Sequence, residues 1–408
     1  MKGSVVVSGL GITAPNGLGV KEFWAATLRG ESGIRPISSF AADAFPSGLA
    51  GEIRGFVPRE RIPGRLVPQT DRMTQLALVA GEHALADAEV DLDELPALEA
   101  GVVTAATSGG FDFGQRELGK LWSKGPEHVS AYMSFAWFYA VNSGQLAIRQ
   151  GLRGPSGVVV SDHAGGLDAL GQARRQVRRG IRLMVCGGMD SSLCPYGLAA
   201  HHASGRLSPR TDPRRAYRPF GTDASGYVPG EGGAMLIVES AEQAVARLPG
   251  SFLAELAGYG ATFDPPEGSG REPGLRRAAE IALADAGVTP GEVDVVFADA
   301  AGWAPADRSE AKALRELFGP RGVPVTAPKT MTGRLGSGGG VLDVATAMLA
   351  IRDNVIPPTV NVGEPVEEDH LDLVLDTPRK AAVRVALVLA RGRPGFNAAI
   401  VVREQSFG

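Results

Sequence analysis

The stretch GPSGVVVSDHAGGLDALGQAR, residues 154–174, determines the fold class. Val158–Val160 is a β-branched run typical of a buried strand, and the residues from Ala164 onward are good helix formers. The sharp turn between them points its side chain at a pocket, and the free N–H groups of the following helix face the same point. Such an elbow usually carries Cys or Ser as nucleophile, whereas this turn carries His163.

This segment resembles the nucleophile elbow of the β-ketoacyl synthases, condensing enzymes of the thiolase fold in which a Cys stands at the position of His163. The resemblance covers essentially the whole chain and includes VVVSGLGITAPNGLG at Val5–Gly19, RAYRPFGTDASGYVPGEGGAMLIVE at Arg215–Glu239 and APKTMTGRLGSGGG at Ala327–Gly340. Within the family, Gly109–Gln145 and Ala164–Arg175 resemble the chain-length factor, or ketosynthase-β subunit, of aromatic type II polyketide synthases.

Strands and helices alternate in both parts of the chain, which predicts an α/β fold with largely buried sheets. The resemblance implies a thiolase-like five-layer αβαβα sandwich with two similar halves, placed at residues 1–250 and 251–408. The N-terminal strand is predicted at Ser4–Gly9, and the second series begins with a strand at Phe252–Tyr259. Helices are predicted at Arg308–Phe318 and Val341–Arg352.

Composition excludes several classes of function. The 408 residues are 44% hydrophobic with a net charge of −4, and the scattered Lys and Arg residues do not favour nucleic acid. No apolar run approaches the roughly 18 residues of a membrane span. Cys186 and Cys194 have neither metal spacing nor a disulfide framework, so we expect a reduced, cytoplasmic setting. His201 and His202 are adjacent and project to different sides, which makes them poor joint metal ligands, so we expect no metal site. We also expect no cofactor.

In the family, a Cys and two histidines carry out condensation. Here His163 occupies the Cys position. The first histidine opens a segment that lies upstream of an acidic residue and Glu-Ala, and counting back from residues 307–311 places it at Asp299.

The remaining family positions are also changed. The second histidine follows Met-Thr-Gly after the loop lysine, which is Lys329, and here that residue is Arg334. A phenylalanine gate near the C-terminus is replaced by Arg393. The resemblance therefore identifies an active site whose positions remain and whose catalytic residues are gone.

Each replacement damages the condensation chemistry separately. Imidazole lacks the soft thiolate that stores an acyl chain. Aspartate donates to an enolate only when protonated, and arginine is too basic to transfer a proton. We therefore expect a subunit that does not condense, with Asp299 and Arg334 forming an ion pair within ~4 Å in the vacated pocket.

His163 has two interpretations. Most chain-length factors carry Gln at this position, so the chain also departs from their pattern. The imidazole either fills the old pocket as a satisfied buried histidine, or it supports malonyl decarboxylation or chain priming by hydrogen bonding.

Phe111, Gly114 and Leu118 lie on one face of a helix if Asp112–Trp122 is helical. In the family, matching residues line the polyketide tunnel and set chain length, and Tyr196 matches a further lining position. Because Gly and Leu are small, the resemblance implies a deeper passage and a decaketide-class or longer product. The alternative is ordinary core packing of the Phe/Leu face.

An aromatic cluster follows this segment, formed by Tyr132, Phe135, Trp137, Phe138 and Tyr139. It is either monomer core or a large interface, and the resemblance favours the interface.

Three functions remain open. The first is a non-condensing partner of a catalytic ketosynthase-α subunit, which would work with an acyl carrier protein on a malonyl-derived chain. The second is an autonomous malonyl-carrier-protein decarboxylase or priming acyltransferase that uses His163. The third is a homodimeric binding protein with no polyketide role.

Overall fold

The computed structural model describes residues 3–247, 249, 251, 254–266 and 268–405. The strands of the first half are β1 (Val5–Ala14), β2 (Gly17–Leu18), β3 (Ile34–Pro36), β4 (Leu49–Gly51), β5 (Ala100–Ala105), β6 (Ser156–Val159), β7 (Leu183–Asp190) and β8 (Gly232–Ser240). Those of the second half are β9 (Ala254–Phe263), β10 (Val295–Phe297), β11 (Pro324–Thr326), β12 (Val355–Ile356), β13 (Asp372–Leu373), β14 (Arg379–Lys380), β15 (Val385–Gly392) and β16 (Phe396–Glu404).

The helices alternate with these strands. They are α1 (Val20–Leu28), α2 (Pro58–Arg61), α3 (Arg72–Asp87), α4 (Phe111–Lys124), α5 (Val141–Gln150), α6 (Gly165–Val177), α7 (Pro195–Ala203), α8 (Ala241–Arg247), α9 (Leu275–Ala286), α10 (Ala304–Phe318) and α11 (Ser337–Asp353). Across the described residues, none of these helices has the length and apolar character needed to span a membrane.

The main sheet has the strand order β13-β11-β10-β15-β16-β9-β1-β8-β7-β5-β6. Its first-half part runs from β1 to β6 and its second-half part from β13 to β9, with the two parts joined by two residue pairs between β1 and β9. In each part, the antiparallel strand pairs lie next to the junction between β1 and β9, and the parallel strand pairs lie toward the end of the sheet. The two halves therefore share one architecture, as predicted.

Three clusters of buried hydrophobic residues join the helices and strands into five layers. The first packs α6 and α11 between the two parts of the sheet. The second packs α3 and α5 on the outer face of the first part, and the third packs α9 and α10 on the outer face of the second. This arrangement is an αβαβα sandwich, so the predicted fold is confirmed.

Several predicted boundaries were wrong. Strand β1 continues through Gly9 and Gly11 to Ala14, because the backbone of α3 packs directly against both glycines. Helix α11 begins at Ser337 rather than Val341, so its three glycines belong to the buried first turn. Helices α5 and α7 were not predicted at all.

Two other sequence predictions fall partly outside the described residues. Phe252, the predicted start of a strand, lies outside the described residues, and the described strand runs over Ala254–Phe263. Gly250, at the predicted boundary between the halves, lies there too, so that boundary stays a prediction.

The two central helices meet backbone to backbone. A Cβ added to Gly166 on α6 would lie 2.2 Å from the Ser337 carbonyl oxygen, and one added to Gly188 on β7 would lie 2.3 Å from the same oxygen. Real Cβ atoms do not approach so closely, so the start of α11 requires both glycines.

We expect Gly166→Ala to destabilise the fold by about 1–3 kcal/mol, because the new methyl group overlaps a backbone carbonyl that cannot rotate away. Urea unfolding of the purified protein measures the change. Gly291→Ala is the matched control, since Gly291 is exposed and its added Cβ would meet nothing within 4 Å. Equal stability of the two variants would contradict this account of the central layer.

Candidate functional site

The elbow between β6 and α6 positions His163. Asp162 adopts a left-handed φ of 52°, and residues 162–164 form a single 3-10 turn before α6 begins. His163 Nδ1 lies 3.2 Å from the carbonyl oxygen of Gly336, next to the start of α11. A carbonyl only accepts, so Nδ1 carries the proton and Nε2 presents a lone pair. Burial, followed by the charge of Arg334, lowers the pKa of His163 and keeps the ring neutral.

The predicted ion pair between Asp299 and Arg334 is present. The guanidinium contacts both carboxylate oxygens, at 2.9 and 3.2 Å, and also donates to the Asp299 carbonyl oxygen at 2.9 Å. Both side chains are almost fully buried. The backbone N–H of Arg391 donates to the same carboxylate at 3.0 Å. Two buried opposite charges therefore occupy the positions that the sequence predicts to match the two histidines of the family.

This pairing removes both residues from proton transfer near neutral pH. Burial alone would raise the pKa of Asp299, but the charges of Arg334 and Lys329 outweigh it and hold that pKa at about 2. The pKa of Arg334 is raised above its usual value despite burial, because Asp299 stabilises the cation. At neutral pH Asp299 therefore has no proton to donate, and Arg334 does not release one.

Lys329 stabilises the backbone at Asp299. Its Nζ donates to the carbonyl oxygens of Ala298 and Asp299 at 2.6 and 3.1 Å, and it lies 2.7 Å from the Asp343 carboxylate. Glu310 accepts the backbone N–H of Asp299 at 2.7 Å. The backbone around Asp299 is therefore held from several directions, and Lys329 acts as a structural cation.

Arg393 lies at the surface end of the site. Its backbone N–H donates to the Asp162 carboxylate at 2.7 Å, which ties the turn after β15 to the elbow. Its side chain is exposed. The residue that matches the family's phenylalanine gate is therefore a solvent-facing cation.

One cavity of about 860 Å³ joins most of these residues. Of the predicted active-site positions, His163, Asp299, Arg334 and Arg393 line it, whereas Lys329 does not. Arg206 also lines the cavity, with its guanidinium 4.2 Å above the centre of the Trp303 ring. Arg206 and Trp303 were not predicted, because both come from loops without a distinctive motif.

The predicted chain-length residues divide into two groups. Helix α4 begins at Phe111, and the Phe111 ring packs 5.0 Å from that of Tyr196. Only Phe111 of the four lines the cavity. Gly114 is buried, and an added Cβ would lie 3.6 Å from the Cβ of Trp137. Leu118 is 44% exposed one turn further along α4.

A polar chain in the same cavity was not predicted. Ser192 Oγ lies 2.7 Å from His201 Nε2, and His201 Nδ1 lies 2.9 Å from the Tyr227 hydroxyl oxygen. All three residues line the cavity. The sequence indicated only that His201 is a poor metal ligand, and no motif links it to Tyr227 in a separate loop.

We expect Arg334→Met to destabilise the protein by about 3–5 kcal/mol, because it leaves the buried Asp299 carboxylate uncompensated. The double variant Asp299→Asn/Arg334→Met should lose less than the sum of the two single variants, because it removes both charges together. Urea unfolding measures all three. Arg29→Met, which breaks an exposed pair with Glu31, is the control and should change stability little. Strict additivity of the two site substitutions would refute the coupling.

Comparison with known proteins agrees with this geometry. Residues 2–244 match the β-ketoacyl synthase N-terminal domain, and residues 253–363 match the β-ketoacyl synthase C-terminal domain. The actinorhodin polyketide putative beta-ketoacyl synthase 2 of Streptomyces coelicolor is 55% identical over 400 residues, covering 98% of each chain. The tetracenomycin polyketide synthase ketoacyl synthase beta subunit of Streptomyces glaucescens is 56% identical over 400 residues, again covering 98% of each chain.

Solved structures resemble the chain over its whole length. The ishigamide ketosynthase/chain length factor superposes with a TM-score of 0.90 at 30% identity and covers all of both chains. A type II polyketide synthase acyl carrier protein in complex with its ketosynthase bound to the hexaketide gives a TM-score of 0.87 at 28% identity, covering 98% of this chain and 99% of that one. Both domain matches and the relatives lead to one conclusion: the chain belongs to the β-ketoacyl synthase family.

Proposed function

We propose that this chain is the non-condensing ketosynthase-β subunit, or chain-length factor, of a type II polyketide synthase. The observation that carries the proposal is the buried Asp299–Arg334 ion pair, together with a neutral His163 at the Cys position. No residue at these three positions offers a thiolate to store an acyl chain, and none donates a proton or a free hydrogen bond to an enolate in place of the two histidines. The names of the most similar relatives support the same role.

The exposed surface supports a partner chain. Trp122 is 81% exposed, and Trp137, Phe138 and Tyr139 of the predicted aromatic cluster are also exposed. Phe135 of that cluster packs against the buried core beside α3, so the cluster is divided between core and surface. Strand β6 lies at the end of the main sheet, and no strand pairs its outer edge within the described residues. Exposed aromatic groups and an open sheet edge are each typical of an interface. The partner that fits is a catalytic ketosynthase-α subunit, and an acyl carrier protein would supply the malonyl-derived chain.

The chain-length role follows from where α4 lies. Phe111 reaches the cavity, Leu118 on the same helix is exposed, and Gly114 packs beside the exposed Trp137. A passage along this helix would therefore run between the subunits. Gly114 adds no side chain to its wall, which supports a decaketide-class or longer product.

The alternative of an autonomous decarboxylase or priming acyltransferase is less well supported. Stabilising the enolate of a decarboxylated malonyl group requires a hydrogen-bond donor. His163 commits its proton to the Gly336 carbonyl and presents only a lone pair at Nε2. The hydrogen bond of His163 therefore favours a role in filling the pocket.

The cysteines bear on localisation. Cys186 and Cys194 are both buried free thiols, which supports a reduced, cytoplasmic setting for the complex.

Coexpression tests the proposed function directly. We expect the chain to copurify with a Cys/His/His ketosynthase encoded beside it, and the pair to make polyketide from malonyl-carrier protein. A stable homodimer that does not bind the ketosynthase would support the homodimeric binding-protein alternative instead. Rapid release of carbon dioxide from malonyl-carrier protein by the chain alone would support the decarboxylase alternative.

His163→Cys should not restore condensation by the isolated chain. A thiol at position 163 would meet an ion pair where the reaction needs two histidines, so no group stabilises the enolate or activates the thiol. Transfer of a radiolabelled acyl group and carbon–carbon bond formation are measured separately. Condensation above the wild-type background would contradict the account.

The variant Gly114→Thr/Leu118→Phe should shift the products of the complex towards shorter chains. The new Cβ at position 114 would meet Trp137 at an ordinary contact distance, so the helix accepts it and the passage narrows. Gly119→Ala is the control, because it lies on another face of α4 and its Cβ would meet nothing within 4 Å. Product length is read by mass spectrometry. Unchanged products from a folded complex would exclude these residues as the gate.

A further inference from the structure

We propose that Ser192 is a nucleophile that accepts an acyl group from an acyl thioester in the remnant cavity, with His201 as its general base. This activity goes beyond the proposed chain-length function and uses none of the residues that replaced the condensing set. The substrate class follows from the chemistry: a serine hydroxyl beside an imidazole attacks activated carbonyl carbons.

The geometry is that of a nucleophile, a base and an orienting group. Ser192 lies between the end of β7 and the start of α7, and His201 lies on α7. The 2.7 Å separation of Ser192 Oγ and His201 Nε2 is within hydrogen-bond reach, and the Tyr227 hydroxyl holds Nδ1 at 2.9 Å. In the tautomer that carries its proton on Nδ1, the ring donates to Tyr227 and Nε2 accepts the Ser192 proton.

The surroundings keep His201 unprotonated. Burial, followed by the neighbouring His163, lowers the pKa of His201 to about 4. Its Nε2 lone pair is therefore available at neutral pH. The orienting group is a phenol rather than a carboxylate, so the imidazolium that forms during attack is weakly stabilised. We expect slow acylation with little turnover.

Other nucleophiles in this region fit less well. Cys186 and Cys194 are buried, and burial raises the pKa of both thiols, that of Cys194 to about 11. Ser108 lines the cavity, but its hydroxyl faces the Asp190 carboxylate at 3.5 Å. Ser192 is the cavity serine that is paired with an imidazole.

The step balances with water as the only co-reactant. Ser192 Oγ attacks the thioester carbonyl carbon while its proton passes to His201 Nε2. The carbon–sulfur bond then breaks, and the leaving thiolate takes that proton, which gives an acyl-serine ester and a free thiol. In hydrolysis, His201 takes a proton from water while the resulting hydroxide attacks the ester carbonyl carbon. The bond from that carbon to Ser192 Oγ then breaks, His201 returns its proton to Oγ, and a carboxylic acid is released.

The test uses p-nitrophenyl butyrate as the probe and the full-length chain, alone or with its partner. We expect one butyryl group on the peptide that contains Ser192, found by mass spectrometry after digestion. Ser192→Ala should abolish this label. His201→Gln keeps hydrogen-bonding atoms without a basic nitrogen, and it should slow labelling by about 100-fold or more. Ser309→Ala, another cavity serine, is the control and should label like the wild type.

Mapping the label makes the result decisive even when a partner cysteine also reacts. A butyryl group found elsewhere on this chain, or none at Ser192, would overturn the proposal. Equal labelling rates in wild-type and folded His201→Gln protein would also overturn it, because the base would then have no role. Thermal melting of each variant establishes folding. Since product length is measured independently, these failures leave the proposed chain-length function untouched.

Discussion

The first turn of α11 is the constraint on which both the fold and the site depend. Its backbone touches α6 at Gly166 and β7 at Gly188 with no side chain between them. The N–H and hydroxyl of Ser337 donate to the buried Asp190 carboxylate at 2.8 and 2.6 Å, so the turn is also held by hydrogen bonds. One residue earlier, the Gly336 carbonyl orients His163. A shift of this turn would therefore disturb the packing of both halves and the elbow together.

The same segment explains why the site tolerates such different side chains. Arg334 lies just before the turn, and its backbone N–H donates to the Val228 carbonyl at 2.9 Å. The backbone path is set by these main-chain contacts, which do not depend on whether position 334 carries histidine or arginine. The side chain is then constrained by charge, since a buried cation requires a partner. Asp299 supplies that partner from the second half of the chain.

Much of this architecture could be predicted from the sequence because it depends on local patterns. The elbow, the helix that carries Phe111 and Gly114, and the Asp299–Arg334 pair were all predicted, and the structure contains them. Helix α7 was missed because it has no strong apolar period, whereas α5 is amphipathic and could have been predicted. The Ser192–His201–Tyr227 chain could not be predicted, since Tyr227 reaches His201 only through the fold of a long loop.

Loss of condensation and retention of the cavity are therefore separate physical events. Condensation requires a thiolate from the elbow and proton donors from the second half, and single side chains decide both. The cavity requires only that the two halves remain docked through α6 and α11, and buried backbone contacts secure this. A subunit without any condensing group can consequently still present a cavity of about 860 Å³. Within that cavity, Ser192 and His201 are positioned for acyl-transfer chemistry that does not depend on the positions now occupied by the ion pair.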